Sequence, residues 1–199
     1  MIIPVVLALA IPALASRLWP VALVFVVLAA FMAYFFRDPK RIPPVERGLI
    51  VAPADGRITL IQRGEGSEGG EGKLLISIFL SPLDVHINRA PVAGRITDVT
   101  YAKGRFLMAT SSQASALNEQ NTLTIQGDEL TVVCKQIAGI LARRIVCWKK
   151  VGDSVERGER FGMIKFGSRT DLILSASAEL LVSEGMHVRG GETVIARFR

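Results

Sequence analysis

The sequence predicts a mainly β domain, a sandwich or barrel, behind an N-terminal apolar helical segment. Three observations carry this. Residues 1–36 hold a single charge, Arg17, in an otherwise apolar stretch. From residue 37 onward, short runs of Val, Ile, Leu and Thr alternate with Gly-containing turns, the spacing of an all-β domain. Within that domain two segments recur, as structural half-units do.

The N-terminus contains two apolar stretches, Ile2–Ala15 and Leu18–Phe36, separated by Ser16 and Arg17. A bilayer-crossing helix needs about 20 residues, so the second stretch is expected to be a membrane helix. The first is shorter and carries Pro4 and Pro12, and together the two could form a helical hairpin. Residues 1–36 are therefore read as a membrane anchor, with Trp19, Tyr34, Phe35 and Phe36 suited to an interface. Ala13-Leu14-Ala15 resembles a signal-peptidase site, but a basic leader is missing and a further apolar stretch follows directly. The basic cluster Arg37-Asp38-Pro39-Lys40-Arg41 places residues 37–199 on the cytoplasmic side of the cell membrane.

Strands are expected at Arg57–Gln62, Lys73–Leu80, Arg95–Tyr101, Asn121–Ile125, Leu130–Gln136, Arg143–Trp148, Arg160–Phe166, Leu172–Ser175 and Thr193–Phe198. Glu65–Gly72 reads as a flexible tip, and Ser111–Glu119 as a loop or short turn. The segment Ala52-Pro53-Ala54-Asp55-Gly56-Arg57-Ile58-Thr59 is echoed by Ala90-Pro91-Val92-Ala93-Gly94-Arg95-Ile96-Thr97. The segment Gly152–Glu159 is echoed by Gly185–Glu192. Turns of the second kind are common in barrel-sandwich modules of the biotinyl/lipoyl type, and the repetition fits two hammerhead-like pieces packed into one sandwich. The copies differ at one informative place. Asp55 stands where the second copy has Ala93; the turn needs its glycine in both copies but needs an acid in neither. Asp is also an ordinary turn residue, so the comparison alone leaves both readings open.

A formal net charge of +6 suits nucleic acid, anionic lipid or an acidic substrate. No zinc pattern or basic helix is visible and aromatics are sparse, which disfavours nucleic acid. Beside an apolar N-terminus, anionic membrane lipid is the simpler partner. Cys134 and Cys147 sit in apolar runs and are read as free thiols of a reducing compartment. Two scattered His and two scattered Cys make no standard metal site. Dinucleotide, P-loop and G-x-S-x-G fingerprints are absent.

Few residues remain for chemistry. His187 lies in a repeated turn and reads as an exposed turn residue. His86 follows an apolar strand within Leu80-Ser81-Pro82-Leu83-Asp84-Val85-His86, a segment dense in polar groups. An imidazole near two carboxylates, Asp55 and Asp84, could be a general base with an orienting acid, or a structural histidine. The Gly167-Ser168 dipeptide by itself marks no more than a turn.

Six segments in order nevertheless resemble one family: Phe35–Pro39, Ala52–Gly56, Leu80–His86, Gln136–Gly139, Ala142–Ile145 and Phe166–Arg169. They are similar to the signatures of phosphatidylserine decarboxylases, most closely the short bacterial and archaeal form. The resemblance implies a proenzyme that cleaves itself between Gly167 and Ser168, giving a β chain (1–167) and an α chain (168–199). The Ser168 hydroxyl attacks the Gly167 carbonyl, and elimination and hydrolysis convert Ser168 into a covalent pyruvoyl cofactor. His86 oriented by Asp55 acts as base. The pyruvoyl then forms a Schiff base with phosphatidylserine, and loss of CO2 gives phosphatidylethanolamine. Longer family members carry a second His three residues after the first. Arg89 stands there in this chain, so His86 serves both steps or another group assists. Arg89, Lys103 and Arg105 are candidate contacts for the lipid phosphate. Small decarboxylases of this type often pair, so a homodimer is one assembly the resemblance allows, while the sequence itself does not reveal the oligomeric state. Head-group residues do not distinguish ester from ether tails, so archaetidylserine would require the same chemistry. A rival of another class is a membrane-tethered lipoyl-like adaptor or carrier without catalytic activity, although no typical acceptor lysine at a hairpin tip is present.

Overall fold

The computed structural model describes residues 2–15, 18–64, 72–111, 113–128, 130–140, 144–165 and 167–198. The chain divides into two compact units, residues 1–39 and 40–199.

In the first unit, α1 (Ile2–Ala15) packs against α2 (Trp19–Phe35). Pro20 falls in the first turn of α2, where the missing N–H removes no helix bond. At the other end Arg37 donates from Nη1 to the Tyr34 carbonyl at 2.8 Å and lies over the Tyr34 ring, placing a cation on the negative end of the helix. The 17 residues of α2 rise about 25 Å, short of the roughly 30 Å of a hydrocarbon core. Among the described residues no helix is long and apolar enough to cross a membrane. The crossing helix expected over Leu18–Phe36 is thereby corrected to a shorter one, because Leu18 and Phe36 take the capping positions. The outward surface of α2 is still apolar: Trp19, Leu23, Val24 and Val27 are exposed.

The second unit is mainly β. Its strands are β1 (Leu49–Val51), β2 (Gly56–Gly64), β3 (Lys73–Leu80), β4 (Ile87–Arg89), β5 (Gly94–Ala102), β6 (Gln120–Gln126), β7 (Thr131–Ile137), β8 (Arg144–Cys147), β9 (Ser154–Val155), β10 (Arg160–Lys165), β11 (Ser168–Ser175), β12 (Glu179–Leu180), β13 (His187–Val188) and β14 (Val194–Arg197), with one short helix, α3 (Ala114–Leu117). Eight strands form a sheet in the order β13-β2-β3-β11-β7-β6-β5-β9, curled into a half-barrel. Two three-stranded sheets, β1-β14-β12 and β4-β10-β8, complete the unit.

The burial pattern follows the sequence. On β6 and β7 alternate residues are buried, among them Leu123, Ile125, Val132 and Cys134, as a sheet with one face on a core requires. The central strands β3 and β11 are buried almost throughout. Ile58, Ile76, Ile78, Phe161 and Leu172 belong to the one contiguous core. Cys134 is a free thiol whose pKa burial pushes well up, and Cys147 is free and half-buried.

Most expected strands are present, and Lys73–Leu80 coincides with β3. One difference matters. The strand expected to begin at Leu172 begins at Ser168, so the Gly-Ser dipeptide is no surface turn but the entry to the central strand. The expected short turn within Ser111–Glu119 contains α3. Residues 65–71 of the expected tip, Ala142 and Arg143, and Phe166 lie outside the described residues.

The two sequence repeats occupy equivalent places at the two ends of the large sheet. Val188 of β13 pairs with Gly56 of β2, and Val155 of β9 pairs with Gly94 of β5. At one end the Gly185 N–H donates to the Ile58 carbonyl and the Ile58 N–H to Met186. At the other, Gly152 donates to Ile96 and Ile96 to Asp153. Gly152 and Gly185 match in conformation (φ 95° and 87°), as do Gly158 and Gly191 (78° and 80°). All four lie in the left-handed region that favours glycine.

Candidate active site

Ser168 opens β11 and is fully buried. Its Oγ is buried and has no hydrogen-bond partner among the described residues. Buried hydroxyls are normally paired, so an orphan here marks a place where something beyond packing determines the residue. The preceding Gly167 has φ +62°, a conformation that costs other residues strain. Its N–H donates to Nε2 of His86 at 3.2 Å.

His86 is also fully buried. It is delivered by the turn after β3, where the Asp84 N–H donates to the Ser81 carbonyl and the Ser81 N–H to Asp84 Oδ2 at 2.8 Å. The ring Nδ1 lies 2.9 Å from the Asp84 carbonyl oxygen. Both ring contacts are satisfied together when Nδ1 carries the proton and Nε2 presents its lone pair to the Gly167 N–H. That is the tautomer a base requires.

Asp55 sits in the turn before β2. Its Oδ1 accepts the Gly190 N–H at 2.8 Å, and its Oδ2 accepts Arg41 Nη2 at 2.6 Å. The imidazole Nδ1 thus rests on the main-chain carbonyl of Asp84, while Asp55 is held by Gly190 and Arg41. Asp55 still lies within electrostatic reach of Asp84 in the histidine turn. Burial raises its pKa above the ordinary carboxylate value; the Gly190 N–H and the Arg41 guanidinium pull the other way, while the Asp84 charge adds to the rise.

The Gly167 carbonyl, part of the Gly167–Ser168 peptide, is faced by Gly139. A Cβ there would come within 2.5 Å of the Gly167 oxygen and 3.4 Å of Ala109. Asn118 holds this wall together. Its Oδ1 accepts the Leu107 N–H, and its Nδ2 donates to the Leu107 and Ala138 carbonyls. Gly139 belongs to a segment that carries the family resemblance, but nothing in the sequence says that it faces Gly167.

Behind Ser168 runs a buried relay of amides. Asn88 donates to Thr170 Oγ1, Gln136 to Asn88 Oδ1, and Asn121 to Gln136 Oε1, at 2.9, 2.9 and 3.0 Å. On the other side of β11, Arg169 pairs with Asp171 and reaches Ser77 Oγ at 2.7 Å, while Ser115 of α3 donates to Asp171. These contacts fix β11 on both faces at the residues following Ser168.

The expected phosphate contacts lie on two elements, β4 and the loop after β5, and Arg105 is bridged there to Asn118. Arg89, on β4, is buried and donates Nη1–H to the Gly158 carbonyl at 3.0 Å, so it is neither a solvated charge nor an open anion contact. Lys103 and Arg105 are exposed after β5, with Arg105 tied by its backbone to Leu117 and Glu119. His187 is exposed as expected, and its Nε2 lies 3.0 Å from Asp84 Oδ1. Among the described residues no group of three or more His, Cys, Asp or Glu is placed to hold a metal ion. A cavity of about 780 Å³ lined by Lys73, Asp128, Lys135, Ile173 and Phe198 lies at the far end of β11 and contains none of the candidate residues.

A family model described as phosphatidylserine decarboxylase matches residues 28–196. A protein named phosphatidylserine decarboxylase proenzyme from Pelodictyon phaeoclathratiforme is 47% identical over 195 residues, 96% of this chain and 92% of that protein. One of the same name from Gluconobacter oxydans is 49% identical over 86% of this chain and 79% of its own length. A Methanothermobacter thermautotrophicus protein, provisionally named archaetidylserine decarboxylase proenzyme, is 49% identical over 88% of this chain and 84% of its own.

Proposed function

The chain belongs to the phosphatidylserine decarboxylase family and is a decarboxylase, and from that premise we propose that it cleaves itself at Gly167–Ser168 and converts phosphatidylserine to phosphatidylethanolamine. One observation supports the cleavage site above others. The orphaned, buried Ser168 hydroxyl lies beside a left-handed Gly167 whose N–H rests on the lone pair of His86. The family match leaves the adaptor reading without support.

Serine is a weak nucleophile at neutral pH and needs a base. Nε2 of His86 takes the Ser168 hydroxyl proton as Oγ attacks the Gly167 carbonyl. The carbon–nitrogen bond breaks, the Ser168 nitrogen takes up a proton, and Gly167 is left as an ester on Oγ. Loss of the Ser168 α-proton then expels the Gly167 carboxylate and leaves dehydroalanine. Water releases ammonia from it and leaves a pyruvoyl group at residue 168. The orphaned position fits that conversion, because no hydrogen bond of the fold is lost when Oγ departs. A pyruvoyl held at residue 168 at the head of β11 would supply the electron sink for decarboxylation. His86 is then the residue nearest in the chain's own machinery to return a proton. Gly139 keeps the wall facing the Gly167 carbonyl free of side chains.

The two apolar helices tether the enzyme to anionic lipid, seated within one side of the bilayer since each is shorter than its core. The catalytic unit faces the cytoplasm, where the cluster from Arg37 to Arg41 meets acidic head groups. Lys103 and Arg105, both exposed, are the candidates left for the lipid phosphate. The intact mass of the wild-type chain and of Ser168→Ala tests the cleavage. Two chains ending at Gly167 and beginning at a pyruvoyl-blocked residue 168 are expected, with the Ala variant whole. A folded, membrane-bound wild type that stays as one chain would overturn the reading.

A further inference from the structure

The Arg41 guanidinium bridges two carboxylates, one of them Asp55, and no step above uses it. It lies just after the apolar unit, yet its side chain is only 8% exposed. Nη2 bonds Asp55 Oδ2 at 2.6 Å and Nη1 bonds Glu192 Oε2 at 2.8 Å. Asp55 in turn holds the Gly190 N–H. One fork thus joins the acid of the first turn repeat to the turn before β14, which belongs to the C-terminal side of Gly167–Ser168.

A surface pair this close would be ordinary and nearly neutral in free energy. A buried one is different, because each ion was taken from water and depends on its partner. Removing the guanidinium leaves Asp55 with one main-chain donor and the neighbouring Asp84 carboxylate, in a setting that already disfavours its charge.

We infer that Arg41 is a positioning residue for self-processing: it holds the Asp55 carboxylate ionised and fixed beside the histidine turn. This rests on the proposed cleavage at Gly167–Ser168. The charged groups around Asp55 are Arg41 from the linker, Asp84 from the turn after β3 and Glu192 from the turn before β14. One step further out are His187, which lies on Asp84, and Arg189, which lies near Glu192. Processing that needs the Asp55 anion falls off on the acid side. Protonation of the imidazole base lies on the same side in every variant; Arg41 shifts the part of the fall that belongs to Asp55, because it opposes the rise that burial causes.

The test uses the full-length chain made by cell-free synthesis with anionic vesicles, then chased between about pH 5 and 9 while cleavage is followed. Arg41→Gln is expected to move the acid limb up by about one pH unit and to slow processing up to about tenfold on that limb. Arg41→Lys keeps a cation but not the fork, and its limb is expected between the other two. A limb that does not move, even with slowing by one factor at every pH, would mean a merely structural arginine and overturn the inference. If Arg41→Gln does not fold, Arg41→Lys is judged by the same criterion. A wild type that never cleaves would instead sink the processing reading. Arg41 remains testable in that case through the Asp55 carboxyl carbon, titrated by NMR in the uncleaved Ser168→Ala chain. An upward displacement in Arg41→Gln supports the hold on Asp55, and coincident titrations refute it.

Discussion

The two ends of the large sheet are built alike and equipped differently. At one end β2 is flanked by β13 and β3; at the other β5 is flanked by β9 and β6. Gly56 and Gly94 occupy matching positions, and a Cβ on either would come within 2.1 Å of the Phe79 carbonyl oxygen or 2.3 Å of that of Gln126. The repeated acids also correspond: Glu192 binds Arg41 and Glu159 binds Lys149. The differences lie elsewhere. The first end has Asp55, Gly190 and His187 where the second has Ala93, Arg157 and Ser154. After β3 the chain makes the turn that delivers His86, whereas after β6 it turns back at once, with Gly127 donating to Leu130. Duplicated backbone geometry therefore supplies the frame, and the departures between copies fall around the histidine turn and Asp55, the candidate site.

The largest expected effect comes from exchanging the departures. Asp55→Ala should slow self-cleavage by about 10²–10⁴-fold, the range for removing a group that supports general base catalysis. Ala93→Asp, at the exposed equivalent position, should leave both cleavage and stability unchanged. Timed gel analysis of the two variants checks the pair, and equal effects would erase the distinction drawn between the ends.

Next come the features the ends share. Gly56→Ala and Gly94→Ala should each destabilise by about 2–4 kcal/mol in denaturant melts of the uncleaved Ser168→Ala chain. Gly56 should cost more, since its φ of +147° adds backbone strain to the clash. A smaller effect is expected in the amide relay, which lies between the ends on β11, β7 and β6. Thr170→Val keeps shape but leaves Asn88 Nδ2 unpaired, for a loss of about 1–3 kcal/mol in the same melts.

The smallest concerns acid. The Arg41 bond holds Glu192 below its ordinary pKa despite some burial. A group lowered in the fold adds stability above its unfolded value and loses it as pH falls through the folded one. Stability should therefore decline as pH falls from about 4.5, and Glu192→Gln should flatten that limb by no more than about 1 kcal/mol, the pair being partly solvated. Asp55, raised in the fold, works in the opposite sense and blunts the decline. A limb unchanged by Glu192→Gln would remove Glu192 from the account.

Much of this frame could be read in the sequence, because alternating Val, Ile and Leu runs and a repeated Gly turn report directly on local geometry. The Asp55–Ala93 difference was visible for the same reason. Strands of two or three residues, such as β9, β12 and β13, are too short to show a period. The start of β11 was hidden for another reason. Ser168, Arg169, Thr170 and Asp171 are polar and yet buried, each of the last three satisfied by a partner distant in the chain, and period-based reading assigns such residues to loops. The Arg41 fork was equally hidden, its partners lying 14 and 151 residues away. The membrane helix was overread by counting apolar residues where capping trims both ends.

Strand β11 is bonded to β3 along Ser168–Ser175 and to β7 from Arg169 to Ile173, and β14 closes on β1 beyond it. A cut before Ser168 therefore frees no fragment; it leaves an interior strand captive between neighbours from the other chain. The proposed cut would remove the covalent link that makes folding a one-molecule event, however. An unfolded mature enzyme would have to find its missing strand by collision, and its recovery would depend on concentration. Maturation of this kind would run in one direction: the molecule would persist through the slowness of its unfolding, with no route back to the chain from which it was made.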